Sequence, residues 1–413
     1  MSLSYTCINC NCGFKSPVTY IYGRRDAKSR SFPIQEATLK LRDGSTLHIN
    51  SETMRKGLQY AATPGIADLL EWIKMLQKAI HNPPTMGITD PQRQLDVLVT
   101  SGSQDAICKT MEACIEKGQN ILMECPSYPG TLGIVKPLGP NIIEVKSDKD
   151  GIDPAHLKQI LSKWNPSDAK DKDSELPRLL YIIPNGGNPT GASLTLKRKK
   201  EIYKIAQTYD LLILEDDPYF YLQFNNPYIP SFLSMDEDGR VVRFDSFSKL
   251  LSGGARVGFV TGPKAVLERI GLHMQVSVMH ASGLSQVCIH TVLESMGLEG
   301  FKNHALKVAD FYRRQSEACV AAAEKHLTGL AEWAAPSGGM FLWMKLLNIE
   351  DSYTLITEKA RAAEVLFVPG RVFYADDTKA TPYIRVSYSV VSPELMDKGF
   401  ERLARLLREE TKH

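Results

Sequence analysis

Residues 178–218 read RLLYIIPNGGNPTGASLTLKRKKEIYKIAQTYDLLILEDDP. Two short apolar runs, RLLYIIP and LLILEDDP, flank a stretch of helical period. Its apolar face is Ile202, Ile205, Ala206 and Tyr209. Apolar runs of that length, bounded by turn residues, read as strands buried on both faces. Strand, helix, strand in succession is the unit of an α/β layer fold with a mainly parallel sheet.

The pattern extends outward. Upstream, DVLVTSG, NILME and NIIEV are further strands. QDAICKTMEACIEKG (104–118) is a helix with Ile107, Met111, Cys114 and Ile115 on one face and Gly118 as its stop. LKLRDGSTLHI (39–49) alternates apolar and polar on both sides of Asp43-Gly44, which predicts a β-hairpin. Beyond about residue 264 helical patterns dominate. From about residue 330, GGMFLWMKL, VLFVPG and YIRVSYS mix strands with helices in a smaller α+β unit, and LTGLAEWAAPSGG reads as the linker to it.

With 413 residues the chain can bury one large and one smaller core. The apolar share of 43% and charged share of 23% are those of an ordinary globular protein. A net charge of +2 gives no electrostatic case for a nucleic-acid surface, and no apolar run reaches membrane-spanning length. The eight cysteines are too dispersed for a disulfide framework, and the start lacks the apolar core of a secretory signal. Both features predict a cytoplasmic or mitochondrial-matrix protein that is not secreted. Cys7, Cys10 and Cys12 supply at most three ligands of a tetrahedral metal site, with no nearby pair to complete it, so no metal is expected.

In sheets of this kind ligands gather at the carboxyl ends of the strands. Each strand end here delivers chemistry. TSGSQD opens a helix, where small residues and backbone N–H groups suit a phosphate, with Ser103 and Gln104 pointing at it. The same residues also read as a plain helix cap at Ser103. PNGGNPTG is a turn former that carries Asn188. EDDPYFYL ends an apolar strand in two acids. Burial is costly for a carboxylate, so Asp216 should face a positive group, while Asp217 reads as a cap for the next element. Tyr219 follows. DSFSKLLSGGARVGF (245–259) sets Lys249 among Ser246, Ser248 and Arg256. A lysine near an apolar strand end has its pKa pushed down, and its neutral amine attacks carbonyls. One molecule matches the set: an aldehyde for Lys249, a phosphate for the serines, Gln104 and Arg256, a ring nitrogen for Asp216, and a phenolic oxygen for Asn188 and Tyr219. That molecule is pyridoxal 5′-phosphate.

NPTG, EDDPY, and SFSK with an arginine seven residues on resemble, in order and spacing, the fold type I pyridoxal-phosphate aminotransferases. SGSQD, YPGTL, PNGGNPTG, LEDDPYFYLQF and SGGMFLWMK are similar to the kynurenine/2-aminoadipate aminotransferase group, which includes the fungal aromatic aminotransferases. The resemblance implies a large domain, residues 56–299, with a mainly parallel mixed sheet sandwiched by helices. Residues 32–55 and 300–413 would form a smaller α+β domain, preceded by an anomalous arm, 1–31. It implies Lys249 as Schiff-base lysine and proton shuttle, Asp216 at the ring nitrogen, Asn188 and Tyr219 at the phenolic oxygen, and Tyr128 stacked on the ring. Arg385 would clamp the substrate carboxylate, with Tyr128, Asn188, Met279 and Phe341 shaping room for an aromatic or long donor. Tyr60 would reach the phosphate of a second subunit, which implies a homodimer. The implied reaction moves the amino group of kynurenine, 2-aminoadipate or an aromatic amino acid to a 2-oxo acid such as 2-oxoglutarate by a ping-pong route.

The resemblance breaks before Phe32-Pro33, where YIYGRR puts Arg24 and Arg25 in place of expected glycines. Two other readings follow from that arm and from the fold: a cofactor-binding but catalytically impaired isoform, and a non-enzymatic pyridoxal-phosphate sensor that regulates transcription.

Overall fold

The computed structural model describes residues 31–90, 93–171 and 173–410. The expectations for Cys7, Cys10, Cys12, Arg24 and Arg25 lie outside them.

The chain opens with a hairpin, β1 (Ala37–Lys40) and β2 (Thr46–Ile49), then helices α1 (Ser51–Leu58) and α2 (Ala67–Ile80). The alternating part follows: β3 (Leu95–Thr100), α3 (Ser103–Cys114), β4 (Asn120–Cys125), α4 (Pro129–Leu138), β5 (Asn141–Asp148), β6 (Gly151–Ile152) and α5 (Pro154–Leu161). It continues through β7 (Leu179–Ile182), α6 (Leu196–Tyr209), β8 (Leu212–Asp216), β9 (Val241–Ser246) and β10 (Gly258–Pro263). Helix α7 (Lys264–Ser277) and the long α8 (Gly283–Leu327, broken at Gly297) lead to β11 (Ala331–Trp333), β12 (Phe341–Leu346), β13 (Val368–Pro369), β14 (Tyr383–Ser387) and α9 (Pro393–Glu410).

Eight strands form one sheet in the order β3-β10-β9-β8-β7-β4-β5-β6. The pairs β5–β4, β4–β7, β7–β8 and β8–β9 are parallel. Strand β10 is antiparallel to both β9 and β3, which turns β3 back to the common direction. The carboxyl ends of β3, β4, β7, β8 and β9 therefore share one edge. The start of β10 joins them there. A second sheet, β11-β12-β14-β13, is antiparallel throughout.

Alternation along each strand divides the core. Leu179, Tyr181, Leu214, Val242 and Phe244 belong to one apolar cluster, while Leu180, Ile182, Ile213 and Val241 belong to the other. Both faces of β7 and β8 are thus covered, which is why these strands read as unbroken apolar runs. On α6 the buried residues are Lys199, Ile202, Tyr203 and Ala206, and Ile205 and Tyr209 pack at its margin.

Three local expectations need correction. The stretch expected to be a linker contains β11, which pairs with β12. The helix expected to run to Gly118 ends at Cys114, because Ile115 is already extended at φ −105°, ψ 128°. Its N-cap is Gly102, so Ser103 is the first helical residue and not the cap.

Candidate active site

The shared sheet edge gathers the loops singled out above. Ser101 to Ser103 leave β3 and Tyr128 follows β4. Asn185 to Asn188 leave β7, Asp217 to Tyr219 leave β8, and Ser246 to Lys249 leave β9.

One corner of the edge is a cradle. Arg256 takes left-handed backbone geometry at φ 53°. Its guanidinium lies 3.4 Å from the Ser248 hydroxyl and donates to the Ser101 carbonyl at 3.2 Å. The Ser246 hydroxyl accepts from the Ser248 amide at 3.1 Å. Gly102 has φ 81°, and a Cβ there would stand 2.3 Å from an Arg256 nitrogen. Only glycine lets the guanidinium close over the start of α3, where the helix's first N–H groups favour an anion. Gln104 lies in the same turn and donates to the Gly130 carbonyl at 3.3 Å.

The floor is Asp216. In the parallel register Tyr181 pairs with Leu214, so Asp216 lies two residues on along the same face. The long phenol spans that diagonal, and Tyr181 donates to Asp216 Oδ2 at 2.5 Å. Thr131, on the first turn of α4, donates to the Tyr181 oxygen at 2.9 Å. Asp216 Oδ1 is buried and has no hydrogen-bond partner among the described residues. Burial raises the Asp216 carboxyl to about 7 against the pull of the Tyr181 hydrogen bond. The cation expected opposite Asp216 is absent among the described residues' recorded ion pairs.

Asp217 differs from its expected capping role. It points to the opposite face with Glu215, where Arg243 bridges Glu215 at 3.1 Å, Asp217 at 2.9 Å and Asp245 at 2.9 Å. Asn185 donates to Asp217 at 2.7 Å, which ties the β7 loop to this buried cluster.

Lys249 is half-buried and, among the described residues, no carboxylate is recorded within ion-pair distance of it. Its pKa is lowered by burial first, then by Arg256 and Arg385. Arg385 donates to Asn188 Oδ1 at 2.8 Å. Its guanidinium lies 4.4 Å from the Phe341 ring centre and 5.1 Å from that of Phe373. Tyr219 is buried and meets Phe341 edge-on at 6.0 Å. Burial, then the Asp216 charge, raises the Tyr128 hydroxyl, while Arg385 and Arg256 pull it down. Lys249, Asp216, Asn188, Tyr219, Tyr128, Phe341 and Arg385 therefore share one neighbourhood. Tyr60 and Met279 do not join it through any recorded contact. They are 54% and 39% exposed, and Tyr60 packs edge-on against His280.

The family model for aminotransferase class I and II matches residues 25–403. The chain belongs to that family. It is 50% identical, over 92% of its length and 89% of the relative's, to the mitochondrial kynurenine/alpha-aminoadipate aminotransferase of Bos taurus. Its fold is similar to that of the aromatic aminotransferase Aro9 from C. albicans, with a TM-score of 0.86 at 27% identity over 97% of this chain and 93% of that one. It is also similar to the Pyrococcus horikoshii kynurenine aminotransferase, solved with PMP and KYN as substrates and KYA as product. There the TM-score is 0.79 at 27% identity, over 87% and 84% of the two chains. As a member of the family this aminotransferase takes pyridoxal 5′-phosphate as its cofactor.

The residues fit that group on independent grounds: an orphaned carboxylate oxygen in the floor, a glycine-lined cradle that a Cβ would fill, and a lysine with no acid partner among the described residues. Three aminotransferase residues escaped the sequence reading. Tyr181 and Thr131 stand in apolar surroundings and read as core. Phe373, on a short turn before β14, gives no periodic signal. The position of Tyr181 one residue before the end of a strand parallel to the Asp216 strand is the one cue that could have marked it.

Proposed function

We propose that this aminotransferase transfers the amino group of kynurenine, 2-aminoadipate or aromatic amino acids to 2-oxoglutarate by alternating half-reactions. The observation that carries the donor class is Arg385 held against two aromatic rings and Asn188. A guanidinium in that setting binds a carboxylate bidentately, while Phe341, Tyr128 and Phe373 offer apolar walls to a bulky donor. The 50% identity to a kynurenine/alpha-aminoadipate aminotransferase supports the same class.

Pyridoxal phosphate, when bound, supplies an electron sink for charge developing at the donor's α-carbon. This chain's residues do the rest. Ser103, Gln104, Ser246, Ser248 and Arg256 would hold the phosphate at the start of α3. Asp216 would take the ring nitrogen on Oδ1, and Tyr128 would cover the ring face. Asn188 and Tyr219 would hold the phenolic oxygen. Lys249, its pKa already depressed, would carry the cofactor and then move the donor's α-proton. Catalytic roles thus fall to Lys249, Asp216 and Tyr219. Met279 is proposed to contact substrate from its exposed turn.

The exposure of Tyr60 supports a homodimer in which it reaches the phosphate of the second subunit. The proposed division is a large domain of 56–299 and a small one of 32–55 with 300–413. Among the described residues no helix is long and apolar enough to cross a membrane. The relatives described as mitochondrial favour the matrix over the cytoplasm. A donor panel with 2-oxoglutarate tests the reading: kynurenine, 2-aminoadipate and phenylalanine should be turned over faster than alanine and aspartate. Turnover confined to alanine or aspartate would defeat it.

A further inference from the structure

Among the described residues the Asp216 carboxylate accepts one side-chain hydrogen bond, on Oδ2, and Oδ1 has no partner, and a three-residue chain decides which oxygen is which. Thr131 donates to Tyr181 at 2.9 Å, and Tyr181 donates to Oδ2 at 2.5 Å. Thr131 and Tyr181 are fully buried and Asp216 is 3% exposed, so no solvent competes for these bonds. The three residues come from three elements, α4, β7 and β8. The first turn of α4 also fixes Tyr128, since the Thr131 and Leu132 amides both donate to the Tyr128 carbonyl at 3.1 Å.

We propose that Tyr181, itself oriented by Thr131, is a positioning residue that holds the Asp216 carboxylate so that Oδ1 meets the cofactor's ring nitrogen. This rests on the aminotransferase reading above. The chemistry follows from polarity. A carboxylate buried without solvent needs a donor to remain an anion, and the Tyr181 hydroxyl supplies it. With Tyr181 bonded to Thr131, its hydroxyl hydrogen is left to Oδ2 alone. Other charges face Asp216 too. Asp217 and Asp245 oppose its ionisation and Arg243 favours it, while Tyr128 and Tyr219 feel its charge. Among these, Tyr181 has the recorded bond to it.

Removing the hydroxyl makes Asp216 a stronger base toward the proton it shares with the ring nitrogen. When bound, the ring would then carry less positive charge, and the Lys249 nitrogen that holds it would keep its own proton more tightly. The test is a pH titration of the visible absorbance band of the holoenzyme, with the cofactor dissociation constant measured beside it. Tyr181→Phe should move the titration midpoint upward by about one pH unit, a ten-fold change in proton affinity. It should lower kcat about ten-fold with a donor KM within about three-fold, because donor recognition lies at Arg385. Thr131→Val, which keeps the shape, should shift the midpoint the same way by less, and it carries the test if Tyr181→Phe fails to fold. A folded Tyr181→Phe holoenzyme with the parent's midpoint and cofactor affinity overturns the proposal. A parent protein that shows no such band overturns instead the reading on which it rests.

Discussion

Asp216→Asn should stabilise the cofactor-free protein while weakening its hold on the cofactor. Burial lifts this carboxyl from 3.8 to about 7. Between those values the folded protein binds a proton that the unfolded chain has released. The group's contribution to stability is therefore fully present below pH 3.8 and lost as pH rises through about 7. Asparagine carries no such cost and still accepts from Tyr181. The variant's advantage over the parent should grow by about 2–3 kcal/mol between about pH 5 and pH 8 and then level off. Titrating groups that do not face Asp216 are common to both proteins and cancel in the difference, while Asp217 and Asp245, which oppose its ionisation, ionise more readily in the variant and add in the same direction. Chemical denaturation of both cofactor-free proteins across that range gives the number. A difference that stays flat with pH would refute the reasoning, since Asp216 would then be ionised or solvated as in the unfolded chain. The same variant should bind pyridoxal phosphate at least ten-fold more weakly, because a neutral amide replaces the charge facing the ring nitrogen.

Three further outcomes follow from single contacts. Gly102→Ala should weaken cofactor affinity at least ten-fold, measured by equilibrium dialysis, because its Cβ would stand 2.3 Å from the Arg256 guanidinium. Arg385→Lys should raise the donor KM by about ten- to a hundred-fold through loss of the planar fork and its stacking, with the cofactor's own binding unchanged. Lys249→Ala should abolish the covalent link, seen as loss of the borohydride-fixed adduct by mass spectrometry, and reduce turnover by at least about a thousand-fold.

Much of this molecule is legible in the sequence because its central strands are covered on both faces. Strands β7 and β8 announce themselves as apolar runs, and their loops carry the polar residues that have no place in a core. Other parts depend on register, which periodicity does not give. Arg243 meets Glu215 because the two lie opposite one another on β9 and β8, and Asp217 and Asp245 each follow two residues along the same face. Asp217 therefore reads as a cap in the sequence and proves to be a buried ion-pair partner. Tyr181 escapes for the same reason, since its role exists only through the β7–β8 diagonal. Strand β11 is three residues long, too short for alternation to show, so its segment reads as a linker. Tyr60 and Met279 mark a different limit. A single chain leaves both on its surface, and the role proposed for Tyr60 needs a second subunit.

The central claim is that Lys249 carries pyridoxal phosphate through two half-reactions, and visible absorbance of the purified protein tests it most directly. Added cofactor should produce a band near the visible edge. Kynurenine or 2-aminoadipate alone should discharge that band, and 2-oxoglutarate should restore it. A band that neither donor discharges would contradict transamination by this chain. The absence of any band, with Lys249→Ala indistinguishable from the parent, would contradict the cofactor site itself.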